Sequence, residues 1–206
     1  MRGAGYQLID YEQHKIYAIL WMAVHGRRNI GAVIGAAGFG TATGGSDSLH
    51  LRDGSRRSLG IEDPWGNGWC WMDNVAVNVA SYAAYRKNRC SVPSGSSVDN
   101  IWRIYDPVHK VERAVRGVAG STEIARVRWG RFCDVVPSKL VDNSNYNTYF
   151  CDQQEYNAST GRVVSRGGSN TSAYGGVVYV NAYRASSYAN GYYGARLAFR
   201  GVIVER

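Results

Sequence analysis

The residues of this 206-residue chain best suited to contact chemistry lie at 165–199, near the C-terminus. Six of the 15 tyrosines fall there, interleaved with Ser, Gly and Asn, and the stretch holds no Asp, Glu, Lys, Gln, His, Cys, Met, Trp or Pro. Tyr gives a large, rigid contact area at low entropic cost, and Ser, Gly and Asn give adaptable hydrogen bonds. Such a composition predicts a surface made to touch something. Bond-making chemistry has a weaker footing. A nucleophile needs a base within reach, yet His14, His25, His50 and His109 lie in unrelated segments. Cys70, Cys90, Cys133 and Cys151 are widely spaced and form no C-x-x-C pair, unlike zinc ligands. They could pair as two disulfides in an oxidising compartment, but we read them as small buried residues. The run from Gly35 to Gly40 has neither G-x-G-x-x-G spacing nor a Lys-Ser/Thr ending, so it predicts no phosphate loop.

The rest of the chain must position that stretch. Its length suits one large domain or two small ones, and 45% hydrophobic residues with six Trp supply ample core. The net charge of +8 is scattered, densest at Arg86, Lys87 and Arg89, whereas nucleic-acid binding favours a stripe or block. The longest apolar run, Ala18 to Val24, is too short to span a bilayer, so no membrane insertion is expected. No signal peptide is visible, and the abrupt start suggests a domain cut from a longer polypeptide.

A helix is predicted over 10–25. Asp10 can cap it, Gln13 completes a capping box, Tyr17, Leu20, Trp21 and Val24 form a core-facing stripe, and Gly26 stops it. Residues 31–56 read as Gly-rich loop, 75–89 as strand or short helix, and 103–118 as weakly alternating. Ala125–Trp129 and Phe132–Val136 read as short strands separated by Gly130. Residues 142–160 form a polar loop, and Gly176–Val180 and Arg196–Val204 look strand-like. The sum is a single α+β domain over 1–206 with few helices, short strands and long irregular loops, in which buried Trp residues anchor the connections. Within it, Trp69 and Trp71 have period-two spacing and so face one side of an extended strand.

Three segments carry a resemblance. Leu59-Gly60-Ile61-Glu62-Asp63-Pro64-Trp65-Gly66-Asn67-Gly68-Trp69-Cys70-Trp71-Met72-Asp73 resembles the Leu-Gly-x-x-Asp-x-x-Gly-Asn-x-Trp-Glu-Trp-x-Asp signature of the C-type lectin fold of the formylglycine-generating-enzyme type. Cys70 replaces the usual Glu of that signature. Residues 162–169 resemble the family's Arg-Val-x-Arg-Gly-Gly-Ser-Trp element with one extra residue, and residues 193–200 resemble its closing Gly-Phe-Arg-Leu-Ala strand. One branch of that fold is resembled more closely, the variable proteins of diversity-generating retroelements, common in phages and gut bacteria. Their variable region runs from Arg-Gly-Gly, here Arg166-Gly167-Gly168, to Gly-x-Arg-x-Ala-Phe, here Gly194-Ala195-Arg196-Leu197-Ala198-Phe199.

In such systems template adenines are copied to random bases. Asn codons are the main targets, and their retained third-base pyrimidine excludes Lys, Glu, Gln, Met and Trp. The window 169–193 contains none of those five, and Arg184 is its only charged side chain in a chain that is 19% charged. The resemblance therefore implies a variable region at 165–199. It implies fixed small residues at Gly175, Gly176, Ala182, Ala185 and Ala189. The implied ligand-contacting positions are Ser169, Asn170, Thr171, Ser172, Tyr174, Tyr179, Asn181, Tyr183, Arg184, Ser187, Tyr188, Asn190, Tyr192 and Tyr193. Tyr183 and Tyr188 sit in polar surroundings and are expected to be exposed, whereas Tyr179 and Tyr193 border strand-like runs and compete with an ordinary half-buried reading.

The function implied is a receptor-binding or adhesin module, on a phage tail fibre or bacterial surface, that recognises a protein or glycan on a target cell. No nucleic-acid partner, cofactor, metal or catalytic residue is expected. Two other activities attach to the fold. A calcium-dependent lectin would need several oxygen ligands, but Glu-Pro-Asn is missing and Trp71-Met72-Asp73-Asn74 only approximates Trp-Asn-Asp. A formylglycine-generating oxidase would need reactive Cys in the C-terminal part, and residues 152–206 have none.

Overall fold

The computed structural model describes residues 6–28, 57–59, 61–62, 65, 68–87, 99–141, 150, 152–168, 176–195 and 197–199. The loop expected at 31–56 is outside the described residues, and 142–149, Cys90 and Cys151 are outside them too. The described residues form a mixed α+β arrangement of two helices and many short strands.

Helix α1 (Tyr11–His25) starts where its capping residues dictate. The Asp10 side chain accepts from the Gln13 amide at 2.9 Å, the Gln13 side chain accepts from the Asp10 amide at 3.1 Å, and Gly26 ends the helix in the left-handed region. The buried face agrees with the expected one at Trp21 and Tyr17 and differs at Leu20 and Val24. Tyr11, His14, Lys15, Ala18 and Trp21 point inward, while Leu20 and Val24 are 52% and 63% exposed. The helix carries a second apolar row, Ile16, Leu20 and Val24, and it faces outward. The inner row is chosen because its polar members find partners. Lys15 Nζ donates to the Phe132 carbonyl at 2.9 Å, and the Tyr11 hydroxyl accepts from the Val135 amide at 3.0 Å. Arg113 then ties Glu12 and Asp134 together beside Tyr11.

The spine of the fold is strand β4 (Trp69–Val77). With the short strands before it numbered β1 (Tyr6–Leu8), β2 (Arg57–Ser58) and β3 (Ile61–Glu62), the later ones are β5 (Ile101–Asp106), β6 (Val111–Arg116), β7 (Glu123–Arg128), β8 (Val136–Val141), β9 (Gln154–Tyr156), β10 (Arg162–Arg166), β11 (Val180–Ala182), β12 (Tyr193–Gly194) and β13 (Leu197–Phe199). The main sheet has the order β6-β5-β4-β10-β11-β9, and β12 adds in parallel to the start of β4. All neighbours on the main path are antiparallel except β11 and β9. Three two-stranded pairs complete the picture: β1 with β13, β2 with β3, and β7 with β8. Helix α2 (Tyr82–Lys87) follows β4, so the described part of the ambiguous stretch, 75–87, holds both strand and helix.

Trp21, Trp65 and Trp102 join Ile104, Val164, Val178 and Val180 in one core cluster. Each fully buried aliphatic or aromatic side chain there contributes about 1.5–3 kcal/mol relative to exposure. Tryptophan burial was expected to anchor the connections, and Trp129, at the edge, is the exposed exception. Two sequence-predicted strands are turns instead. Residues 129–134 close a loop in which Asp134 N bonds the Trp129 carbonyl at 2.8 Å and Cys133 takes φ +51°, leaving Phe132 and Cys133 exposed rather than buried. Val177 and Val178 are buried, but in a turn closed by Tyr179 N to the Gly176 carbonyl at 3.2 Å; the strand begins at Val180. No helix among the described residues is long and apolar enough to cross a membrane.

Candidate ligand-binding site

The site is layered, and its lowest layer is a clamp on the turn at 176–179. His14 Nε2 lies 2.8 Å from the Val177 carbonyl, Asp152 accepts from the Val178 amide at 2.7 Å, and Arg166 Nη1 donates to the Val178 carbonyl at 2.9 Å. Arg166 also reaches the Val135 carbonyl at 3.1 Å and lies over the Tyr11 and Trp102 rings. All three clamping side chains are buried, which disfavours their charged forms. Burial lowers His14 to about 3 and Arg166 to about 10, and raises Asp152 to about 8 against the pull of the Val178 and Tyr179 amides. Gly176 is fixed by this clamp, because a Cβ there would overlap the Asp152 carboxylate. Gly167 and Gly168 have φ of +95° and +78°, a region that only glycine enters freely, and Gly167 N bonds the Tyr179 carbonyl at 3.2 Å. The Arg166-Gly167-Gly168 element thus turns the chain out of β10 and holds the next segment by its backbone.

The middle layer is aromatic. As expected from period two, Trp69 and Trp71 share one face of β4, and Tyr193 on β12 covers both. Its ring stacks on Trp71 at 4.7 Å and on Trp69 at 5.9 Å. The Trp69 amide donates to the Tyr192 carbonyl at 2.7 Å and so fixes the overlay. Tyr179 and Asn181, expected among the contact positions, belong to this layer and are 3% and 1% exposed. The Tyr179 ring packs on Trp69 at 4.6 Å and its hydroxyl donates to Glu155 at 3.0 Å. Asn181 donates to Glu155 and to the Tyr193 hydroxyl, and accepts from the Tyr183 amide at 3.0 Å. Their side chains are consumed by scaffold contacts. Tyr193 itself is half-buried, and burial pushes its hydroxyl up to about 12 despite the bond from Arg184.

The outer layer is Tyr183, Arg184, Ser187, Tyr188, Asn190 and Tyr192. Tyr183 is 43% exposed, Ser187 and Asn190 are exposed, and Arg184, Tyr188 and Tyr192 are half-buried. The Arg184 guanidinium lies 4.2 Å from the Tyr188 ring centre and 5.1 Å from that of Tyr183, while Tyr188 meets Tyr193 edge-on at 5.2 Å. Tyr188 is therefore less exposed than its polar neighbours suggest. The small residues expected as spacers divide: Gly176 and Ala182 are buried, Ala185 is half-buried and Ala189 exposed. Ser169, Asn170, Thr171, Ser172, Tyr174 and Gly175 lie outside the described residues.

Sequence reasoning missed the flank of this patch, where Asp73 at the far end of the Trp69–Trp71 row meets Tyr82, and Tyr85 packs beside Tyr82 on α2. The signal was the Tyr82-x-x-Tyr85 spacing, which puts both rings on one helix face. Among the described residues no group of three or more His, Cys, Asp or Glu is arranged to hold a metal. Comparisons of the chain with protein-family models, with curated proteins and with solved structures returned no match.

Proposed function

We propose that this chain is a ligand-binding module that displays a diversified, tyrosine-rich surface on a fixed scaffold, in the manner of the variable proteins of diversity-generating retroelements with a C-type lectin fold of the formylglycine-generating-enzyme type. The observation that carries the reading is a continuous aromatic patch: Tyr193 stacks on the paired indoles of Trp69 and Trp71, Tyr188 meets Tyr193, and Arg184 lies over the Tyr188 and Tyr183 rings. Rigid aromatics with an arginine among them, backed by a packed strand, are the residue types that dominate binding energy at interfaces. The layering supports the same reading. Arg166 and Val178, which hold the fold, lie outside the interleaved positions; of those positions Tyr179, Asn181 and Tyr193 serve the scaffold, while Tyr183, Ser187 and Asn190 stand outward where substitution leaves the core intact.

The ligand is a protein or glycan on a target-cell surface, and the module sits on a phage tail fibre or bacterial surface. Sequencing this locus from sibling isolates tests the proposal. Differences concentrated at 169–172, 174, Tyr183, Arg184, Ser187, Tyr188, Asn190 and Tyr192 are expected. Differences spread evenly along the chain, or concentrated at the buried Tyr179 and Asn181, overturn it.

A further inference from the structure

A cavity of about 480 Å³ opens beside the tyrosine patch, between β4, α2 and the segment Ser186–Tyr188. Its size falls within the ~300–1,000 Å³ range of small-molecule sites. Four aromatic rings line it, those of Trp71, Tyr82, Tyr85 and Tyr188, and two charged groups join them, Asp73 and Arg86. The walls are held in place. The Tyr82 hydroxyl donates to Asp73 Oδ1 at 2.6 Å and accepts from the Asn74 amide at 2.9 Å. The Asn74 amide also reaches Asp73 Oδ1 at 2.8 Å. The Tyr82 ring stacks on Tyr105 at 6.0 Å and packs against Tyr85 at 6.1 Å. Little ordering remains for a guest to impose, which favours binding.

Shape and charge select the guest. Aromatic faces accept a flat apolar surface, so the guest needs one. A carboxylate and a guanidinium in the same lining make the cavity adverse to either sign of net charge. An ammonium would meet Arg86, and an anion would meet Asp73. A neutral ring with an apolar face and a hydroxyl-bearing edge meets neither penalty, because its hydroxyls can donate to the carboxylate and accept from the guanidinium.

We propose that this cavity is a fixed subsite for a neutral pyranose residue of a glycan, bound without calcium. Of its lining, only Ser186 and Tyr188 come from the window 169–193. Tyr188 is itself an expected variable position, so the Trp71, Tyr82 and Tyr85 walls with Asp73 and Arg86 would persist through the repertoire while the Tyr188 wall and the adjacent patch change. In that role the proposal rests on the reading of the patch as a diversified binder, whereas its chemistry stands on the cavity alone.

Saturation-transfer NMR on the whole chain, with methyl α-mannopyranoside, methyl β-galactopyranoside, cellobiose and maltose as probes and a chelator present throughout, tests it. Transfer to the ring C–H protons of at least one probe is expected. Binding should weaken about tenfold in Tyr85→Ala, as a lost aromatic wall predicts. A similar loss is expected in Arg86→Ala, an exposed position whose melting temperature should match the parent's. Tyr183→Ser, outside the cavity, should leave binding unchanged. Absence of transfer to every probe, transfer that survives both α2 variants, dependence on calcium, or preferential occupancy by N-acetylneuraminic acid or N-acetylarginine amide each overturns the proposal. None of these outcomes bears on where sibling loci differ, so the subsite and the diversified patch fail separately.

Discussion

Tyr193 and Tyr183 lie on either side of the same patch, yet their removal should have very different costs. Tyr193 contacts Trp69, Trp71 and Tyr188, and aromatic pairs of this kind contribute roughly 0.5–1.5 kcal/mol each beyond area burial. Its hydroxyl accepts from Asn181 at 3.1 Å and pairs with Arg184, and such bonds are worth about 1 kcal/mol net. Tyr193→Ala should therefore destabilise the fold by about 3–4 kcal/mol. Tyr193→Phe keeps the rings and loses only the hydroxyl with its two bonds, so about 2 kcal/mol is expected. Tyr183→Ser removes an exposed ring and should stay within about 0.5 kcal/mol. Urea denaturation followed by tryptophan fluorescence measures all three, with unchanged m-values licensing the comparison. If Tyr193→Ala costs no more than Tyr183→Ser, then β12 is not docked on β4 and the layered account of the site fails.

Three further outcomes follow from the clamp and the helix. Gly176→Ala should cost about 3 kcal/mol, because the new methyl displaces a buried carboxylate that holds the Val178 amide; a change in melting temperature too small to detect would argue that Asp152 can move freely. His14 is held neutral, with its ionisation lowered from 6.5 to about 3, so its contribution is complete above pH 6.5 and is lost as the pH falls toward 3. The stability gap between the parent and His14→Gln should accordingly narrow by about 2 kcal/mol from pH 7 to pH 5, and the difference between the two proteins cancels the opposite drift from Asp152; a constant gap would place His14 in water. Leu20→Gln, on the outward row of α1, should change thermal stability by less than about 0.5 kcal/mol, whereas a loss of several would restore the core-facing stripe read from the sequence.

What the sequence made legible was local. The Asp10–Gln13 capping box placed α1, and the spacing of Trp69 and Trp71 put both indoles on one face before any neighbour was known. What it concealed depended on distant partners. The inner row of α1 carries His14 and Lys15, which look solvent-facing until the Val177 and Phe132 carbonyls arrive from far along the chain. Hydrophobicity alone placed Trp21 and Tyr17 on the core correctly but put Leu20 and Val24 there too. Residues 132–136 and 176–180 are apolar enough for strands, but backbone turns at Cys133 and Gly176 bury or expose them by other means. Composition marked 165–199 as a contact surface without separating its layers. Tyr179 and Tyr183 are the same residue type four positions apart, and only Glu155 and Trp69 make one of them scaffold. The cavity was least legible, since Asp73 and Tyr82 meet only because α2 folds back on β4.

The pairing of β1 with β13 sets how the module carries tension. Tyr6 lies opposite Phe199 and Leu8 opposite Leu197, so pulling residues 6 and 199 apart opens the ladder as a zipper, one rung at a time. In the proposed role, a ligand gripping the tyrosine patch would create a different load path for each end. Held from the side of residue 199, the force would run from Tyr193 in β12 along the chain to Phe199 without crossing into β4. Held from the side of residue 6, it must cross from β12 into β4 and out through the Ile9 carbonyl, which accepts from the Asp73 amide at 3.1 Å. The end by which the module is tethered therefore decides whether a tugging ligand strains the domain or only its last strand.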